Sequence, residues 1–234
     1  NGKPTILLSG DSSVCIGAST AFLPASGGTW TSSNPGVATI TATGVITGIS
    51  PGTARFIFRQ TSTGCYSDSS QNIAVKAKPV VSVSGPSAIC ADTTTTLSPS
   101  SGGIWTSSNN AVATVNNDGV VFGVGPGQAT FRFLSNDSQC VSDPTTSVTV
   151  YALPVINFTG PTTACIGSNT TISPTSGGTW VSSNNAVAQI NMSGVITAIS
   201  AGTATFTYVS SSNGCVSNVS APLTVIGRPV VNVS

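Results

Sequence analysis

Apolar and polar residues alternate along this chain in short runs, and most runs end at glycine, proline or asparagine. Residues 53–58 form the clearest run, because Ala54, Phe56 and Phe58 occupy every second position. A period of two is typical of a β-strand with one buried face, whereas a helix repeats at about 3.6 residues. No run keeps the helical period over the length of a helix. The pattern therefore predicts an all-β protein.

The first part of the chain contains seven such runs. Turn residues such as Gly10, Pro24 and Gly52 separate them. The predicted strands are residues 5–9, 20–23, 29–32, 37–41, 45–49, 53–58 and 72–75. Seven short strands within about 75 residues, with turn signals between them, predict a small antiparallel β-sandwich of immunoglobulin type.

The same sequence pattern occurs three times along the chain. Trp30, Trp105 and Trp180 lie 75 residues apart, and a glycine-rich stretch follows each of them at the same spacing. A fixed internal period outweighs chain length as a guide to domain number. The predicted domains are residues 1–77, 78–152 and 153–227, with residues 228–234 as the start of a fourth repeat.

The connections between units are short and contain proline. Ala77-Lys78-Pro79 and Ala152-Leu153-Pro154 leave few residues between one unit and the next, and proline fixes one backbone angle. A flexible linker would be longer and rich in glycine or serine. We therefore expect three tandem sandwiches held end to end as a rod.

Charge is scarce. Only 6% of the residues are charged and the net charge is +1, whereas about 25% is usual. Nucleic acids and anionic membranes both require clustered Lys and Arg, so neither is expected as a partner. No apolar run approaches the ~20 residues of a membrane span, and residues 1–4 carry no signal-peptide pattern. We expect a segment of a longer chain that does not itself insert into a membrane.

Catalysis and metal binding would depend on carboxylates, because the chain contains no His. The third unit has no charged residue, and the Asp positions of the first two units do not coincide. Neither a pair of catalytic carboxylates, as in glycosidases, nor a calcium site can therefore recur in all three units. We predict no enzyme activity, no cofactor and no metal site. The six acids are Asp11, Asp68, Asp92, Asp118, Asp137 and Asp143.

The three tryptophans allow two interpretations. An exposed indole would suit stacking on a sugar ring, one per unit. A Trp at a fixed place on a strand, flanked by alternating Ser and Thr, is typical of the centre of a sandwich. We predict that Trp30, Trp105 and Trp180 are core residues.

Two cysteines recur in every unit, which indicates disulfides formed in an oxidising, extracellular compartment. Cys15 and Cys65 do not have the spacing of a zinc site, and no His is available to complete one. The six residues predicted to form disulfides are Cys15, Cys65, Cys90, Cys140, Cys165 and Cys215.

Their pairing has two solutions. Bonds within each unit, such as Cys15 with Cys65, are the common arrangement in small domains. However, seven alternating strands place those two cysteines at opposite ends of the sandwich, about 20 Å apart, and a disulfide needs Cα atoms within about 7 Å. The second scheme pairs Cys15 with Cys140 and Cys90 with Cys215, and leaves Cys65 and Cys165 for neighbouring units. Both schemes remain open at this point.

The W-T-S-S-N run and the glycines that follow it resemble the bacterial immunoglobulin-like domains, group 2, of intimin- and invasin-type surface proteins. The VCIG and ACIG stretches, with the Gly64-Cys65 and Gly214-Cys215 pairs, resemble repeats of giant cell-surface or gliding-type adhesins of the Bacteroidetes. The resemblance implies an extracellular stalk or adhesin array. Two departures stand out: Ala91-Asp92 in the second unit, and Ala198 and Ala201 in the third.

Together these observations predict a non-catalytic stalk segment of a long bacterial cell-surface adhesin or filament protein, stiffened by disulfides and short Pro-containing joints. Its partners would be neighbouring repeats of the same chain, and surface polysaccharide or other copies in a filament are further candidates. The alternative functions are a module that binds carbohydrate or a host surface, and an accessory region of a secreted enzyme.

Overall fold

The computed structural model describes residues 2–227. Each of the three units contains nine strands, and no helix occurs in the described part of the chain. In the first unit the strands are β1 (Leu7–Ser9), β2 (Ser13–Cys15), β3 (Ser19–Leu23), β4 (Gly28–Ser32), β5 (Ala38–Ile40), β6 (Val45–Gly48), β7 (Gly52–Ala54), β8 (Phe56–Gln60) and β9 (Ile73–Lys76).

The second and third units repeat this order. The second consists of β10 (Ser82–Val83), β11 (Ala88–Cys90), β12 (Thr94–Ser98), β13 (Gly103–Ser107), β14 (Ala113–Val115), β15 (Val120–Gly123), β16 (Gly127–Ala129), β17 (Phe131–Ser135) and β18 (Val148–Tyr151). The third consists of β19 (Asn157–Phe158), β20 (Thr163–Cys165), β21 (Asn169–Ser173), β22 (Gly178–Ser182), β23 (Ala188–Ile190), β24 (Val195–Ala198), β25 (Gly202–Ala204), β26 (Phe206–Ser210) and β27 (Leu223–Ile226).

Two layers of strands form each sandwich. One layer is a four-stranded sheet in the order β1-β3-β6-β5, and the facing layer contains β2-β9-β7 and the pair β4-β8. All pairings are antiparallel except β2 with β9, which run parallel. The other two units have the same order. The prediction of an all-β fold with three tandem immunoglobulin-like sandwiches is confirmed.

The predicted number of seven strands per unit is wrong. The run at residues 53–58 is divided at Arg55, because β7 pairs with β9 whereas β8 pairs with β4. Arg55 itself exchanges hydrogen bonds with Ser33: its amide donates to the Ser33 hydroxyl, and its carbonyl accepts from the Ser33 amide. The alternation of Ala54, Phe56 and Phe58 continues through this change of partner, so the pattern could not reveal it.

The second missed strand is β2. It is three residues long and only Val14 is buried, so it is too short to show alternation. Its pairing with β9 places Cys15 opposite Lys76, at the end of the unit from which the chain leaves.

A separate apolar core fills each unit. Phe56, Phe131 and Phe206 lie at equivalent places in the three cores and are at most 1% exposed. The indole N–H of each Trp donates to a proline carbonyl: Trp30 to Pro24 at 3.2 Å, Trp105 to Pro99 at 2.9 Å and Trp180 to Pro174 at 3.1 Å. Trp30 and Trp105 are buried, and Trp180 is partly buried against its core.

Side-chain hydroxyls cover the outer edge of β8. Ser67 and Ser70 lie in the connection to β9, and their hydroxyls accept hydrogen bonds from the amides of Phe58 and Phe56. The amides of the two serines donate in turn to the carbonyls of the same two phenylalanines. Ser142 and Thr145, and then Ser217 and Ser220, do the same in the other units. The edge strand is thus paired by a loop, which blocks strand addition there.

The Asp92 departure leaves the backbone unchanged. Gly17 and Gly167 have φ of 80° and 85°, and Asp92 has φ of 63° at the equivalent place. Asp is one of the residues that tolerates this left-handed region.

Ala198 replaces a glycine of the other two units, and Ala164 replaces a larger side chain of the other two units. A Cβ on Gly48 would lie 2.8 Å from the side chain of Val75, 3.0 Å from the carbonyl oxygen of Cys15 and 3.3 Å from the side chain of Val14. A Cβ on Gly123 would meet the equivalent Val150, Cys90 and Ile89 at 3.1, 2.9 and 3.2 Å. In the third unit the residue equivalent to Val14 and Ile89 is the smaller Ala164, which removes one of these three contacts with the Cβ of Ala198.

The three cores lie inside the three ranges predicted from the repeat. The domain boundaries at residues 77, 152 and 227 themselves stay a prediction. The proposed start of a fourth repeat, residues 228–234, lies outside the described residues.

Candidate functional site at the joints between units

Neighbouring units are connected by short stretches of chain. Strand β9 ends at Lys76 and β10 begins at Ser82, so only residues 77–81 separate them. Strand β18 ends at Tyr151 and β19 begins at Asn157, with residues 152–156 between them. We call these two places the first and the second joint.

A disulfide crosses each joint beside the peptide chain. Cys15 of the first unit is bonded to Cys140 of the second, with Cα atoms 5.7 Å apart. Cys90 of the second unit is bonded to Cys215 of the third, with Cα atoms 5.6 Å apart. Each joint therefore has two covalent connections.

The strand pairing explains why bonds form between units and not within them. Cys15 ends β2 opposite Lys76, at the exit end of the first unit. Cys140 lies in the β17–β18 connection, where its carbonyl accepts a hydrogen bond from the amide of Ser135 at the end of β17. That connection is at the entry end of the second unit, facing Cys15. Of the two pairing schemes left open by the sequence, the structure contains the one between adjacent units.

The joints bury one cysteine of each pair completely. Cys140 and Cys215 are 0% exposed, whereas their equivalent in the first unit, Cys65, is partly exposed. Cys65 and Cys165 are free thiols, and Cys165 is exposed. The sequence predicted disulfides for all six cysteines, with these two assigned to neighbouring units in the second scheme.

An open polar groove lies beside the first disulfide. Its volume is about 410 Å³, and it is lined by residues of both units, including Asp11, Lys76 and Gln139. Serine hydroxyls make up much of the remaining lining. Asp11 and Lys76 are the acid and the amine of this groove. Together they form neither a nucleophile–base pair nor an acid–base pair of carboxylates.

A shallow groove recurs at one matching place in each unit. It lies between the segment that enters the unit and the β8–β9 connection or its equivalent. Its most exposed apolar side chains are Val80, which is 91% exposed, and Val155, which is 77% exposed.

Ion pairs lie at this groove in the first two units. Lys3 pairs with Asp68, and Lys78 pairs with Asp143 at 2.7 Å. The hydrogen bond from the Lys78 ammonium, together with its charge, lowers the pKa of Asp143 below its ordinary value. In the third unit the same positions are occupied by the uncharged Leu153 and Asn218.

The acids are dispersed over the surface of the first two units. Asp118 lies in the turn between β14 and β15, where its amide donates to the side-chain oxygen of Asn116. Between residues 2 and 227, no group of three or more His, Cys or acidic side chains is arranged to hold a metal ion. The same range contains no helix that is long and apolar enough to cross a membrane.

Residues 71–150 match the bacterial Ig-like domain (group 2). This stretch covers the second unit and the last strand of the first. No curated protein matches the chain.

Several solved structures resemble this chain. Invasin, a bacterial integrin-binding protein, is 15% identical with a TM-score of 0.39, over 95% of this chain and 58% of that one. Surface layer protein SbsC, domains 1–6, is 15% identical with a TM-score of 0.26, over 99% of this chain and 42% of that one.

The C-terminal 282-residue fragment of intimin, solved in complex with the intimin-binding domain of its translocated receptor, is also 15% identical. Its TM-score is 0.32, over 72% of this chain and 57% of that one. This chain thus spans about half the length of these structures.

Proposed function

We propose that this chain is a non-catalytic structural stalk segment of a long bacterial cell-surface adhesin or filament protein, exposed outside the cell. The observation that carries the proposal is the second covalent connection at each joint. A short peptide and a disulfide on the same interface restrict both bending and rotation of one unit relative to the next. Such a segment keeps its ends at a fixed distance.

Composition and repetition support the same function. The recurring residues are core residues, turn glycines and joint cysteines, and the third unit has no charged side chain for chemistry. Few Lys and Arg residues also mean few cleavage sites for trypsin-like proteases. The VCIG and ACIG stretches favour a giant or gliding-type surface protein of the Bacteroidetes as the longer protein to which this segment belongs.

Small-angle X-ray scattering tests the stalk. The unmodified chain, called the parent below, is compared with a joint variant. The variant carries Cys15→Ser, Cys140→Ser, Cys90→Ser and Cys215→Ser. We expect the parent to fit a single extended arrangement and the joint variant to need a broad range of interunit angles. A parent chain as variable as the joint variant would overturn the proposal.

The groove that recurs in all three units favours a second candidate function, the binding of a surface polysaccharide or a host protein. Its exposed Val80 and Val155 are apolar contacts that a ligand could cover. A glycan and host-protein array with the parent chain tests this candidate against a Val80→Ser, Val155→Ser control. Binding that the control loses supports it, and an array with no signal contradicts it.

A further inference from the structure

The two joint disulfides are each accessible from one side. In each bond one cysteine is completely buried, Cys140 in the first and Cys215 in the second. Their partners, Cys15 and Cys90, are partly exposed. A thiol from solution therefore reaches each bond from the side of the preceding unit. The groups around that side decide which thiols are drawn to it.

At the first joint the open groove leads to this side of the bond. Cys15 is one of the lining residues, and Ser138 and Gln139 line the groove from the second unit. The Cys15 sulfur lies 4.0 Å from the carbonyl oxygen of Gln139. The volume of about 410 Å³ is enough for a small organic molecule. The groove can thus hold a small thiol beside the sulfur that it would attack.

The residue beside the accessible cysteine differs between the two joints. Lys76 lies directly opposite Cys15 in the parallel pair of β2 and β9. Residues paired in this way have side chains on the same face of the sheet, on strands about 4.8 Å apart. Tyr151 has the same place opposite Cys90. An ammonium group is therefore next to the accessible cysteine at the first joint, and a phenol is next to it at the second.

Two more residues distinguish the first groove from the second joint. Asp11 lines the groove, and the equivalent residue of the second unit is Pro86. Gln139 has φ of 57°, in the left-handed region, where the equivalent residue of the third unit is Gly214. A long side chain at such a φ strains the backbone. The first joint thus has a carboxylate and an amide side chain at places where the second joint has neither.

These groups suit the charged ends of an amino-acid thiol. The Lys76 ammonium can pair with a carboxylate, and the Asp11 carboxylate can pair with an ammonium. Both residues are described, and no ion pair joins one to the other, so each charge is available to a ligand. Serine hydroxyls in the lining can bond peptide groups. A zwitterion fits this pair of opposite charges better than a neutral thiol does.

We propose that the groove of the first joint binds a small zwitterionic thiol, of the class of cysteine and its short peptides, and that Cys15 exchanges disulfides with it. The first joint then opens while the second stays closed. Residues 77–81 remain as the covalent link between the first two units. The joint becomes a hinge, a consequence that rests on the proposed stalk function.

The exchange consumes the small thiol as the reductant. Its thiolate attacks the Cys15 sulfur, the bond to Cys140 breaks, and the Cys140 sulfur leaves as a thiolate that takes up a proton. Cys15 then carries the small thiol as a mixed disulfide. A second small thiol displaces the Cys15 thiolate, so that one small disulfide and two protein thiols result. Before that step, attack by Cys140 on the mixed disulfide closes the joint again.

Rates at the two joints of the same molecule test the proposal. The full chain, with Cys65→Ser and Cys165→Ser to remove competing thiols, is incubated with L-cysteine at low salt. Samples are quenched with an alkylating reagent and analysed by peptide mapping. We expect Cys140 to become alkylated at least about fivefold faster than Cys215, with the added cysteine bound to Cys15. The ratio cancels the intrinsic reactivity of the thiol.

Two changes show whether the charges of the groove cause this ratio. Replacement of L-cysteine by neutral 2-mercaptoethanol, and Lys76→Gln with L-cysteine, should each reduce the ratio to about half or less. Arg59→Gln is the control, because it removes an exposed cation of the first unit that does not line the groove, and it should leave the ratio unchanged.

Two outcomes would overturn the proposal. One is equal rates at Cys140 and Cys215 with L-cysteine. The other is a ratio that is the same for both thiols and for the Lys76→Gln variant, which would mean access without recognition. Peptide mapping reports the exchange whether or not the segment is a rod, and scattering from the untreated chain reports the rod alone. Failure of this proposal and failure of the stalk function are therefore distinguishable.

Discussion

The interior of a unit and the joint between two units are built on different physical principles. The interior is a closed apolar core in which Phe131 and its equivalents are almost completely buried, and burial of apolar surface stabilises it. The joint is lined by hydroxyl-rich loops, and a covalent bond fixes its geometry. The stability of each unit and the orientation of neighbouring units are therefore separable in this chain. Variants should be able to damage one and spare the other.

The largest effect is expected inside a core. Phe131→Ala removes a side chain that is 0% exposed, and the lost contacts and the cavity should lower the unfolding free energy by about 3–5 kcal/mol. Chemical denaturation followed by tryptophan fluorescence measures this change. Phe122→Ala is the matched control, since Phe122 is 41% exposed, and an equal loss in the control would contradict the assignment of the core.

Loss of one joint disulfide should have the next largest effect. Cys90→Ser with Cys215→Ser removes a cross-link between residues 125 positions apart, and we expect a loss of about 2–4 kcal/mol. The circular dichroism spectrum at low denaturant should not change, because every core stays intact. Loss of β-structure in this variant would mean that the units need the joint disulfide in order to fold, which would contradict the separation of stability and orientation.

A smaller effect is expected where a hydroxyl covers an edge strand. Ser142→Ala leaves the buried amide of Phe133 without its side-chain acceptor, which should cost about 1–3 kcal/mol. The midpoint of chemical denaturation reports the loss. Ser101→Ala, at an exposed position of the same unit, should change the midpoint by less than about 0.5 kcal/mol, and a comparable loss there would remove the role given to Ser142.

The smallest effect is expected at the exposed ion pair. The pKa of Asp143 is lower in the folded than in the unfolded chain, so its contribution is present above the unfolded pKa and is lost as the pH falls through the folded pKa. Asp143→Asn should therefore unfold slightly more easily than the parent at neutral pH and equally well in acid. Denaturation midpoints across this pH range, at low salt, would show the difference. A gap that widens in acid would contradict this sign.

The sequence predicted the fold class because the repeated core positions keep a period of two in every copy. It did not predict the partner change at Arg55, since Ala54, Phe56 and Phe58 stay on the inner face on both sides of it. It missed β2 because one buried residue, Val14, shows no period.

The cysteine pairing depended on those missed features. Without β2 the exit position of Cys15 had to be inferred from a count of strands, and two pairings remained open. The hydroxyl pairs Ser67 and Ser70, and their equivalents, were also missed. Their recurrence three residues apart in each unit was the available signal, but Ser and Thr are so common here that it did not stand out.

The two disulfides have a mechanical consequence because the rings that they close overlap. One closes the chain from residue 15 to residue 140 and the other from residue 90 to residue 215. If every unit were pulled apart, the shortest covalent path from Cys15 to Cys215 would run through the first bond, back along residues 140 to 90, and through the second. At about 3.6 Å per residue, that path limits extension to about 180 Å, whereas the uncrossed chain would reach about 720 Å. Under tension the segment has little slack to release, and it stays short even after it unfolds.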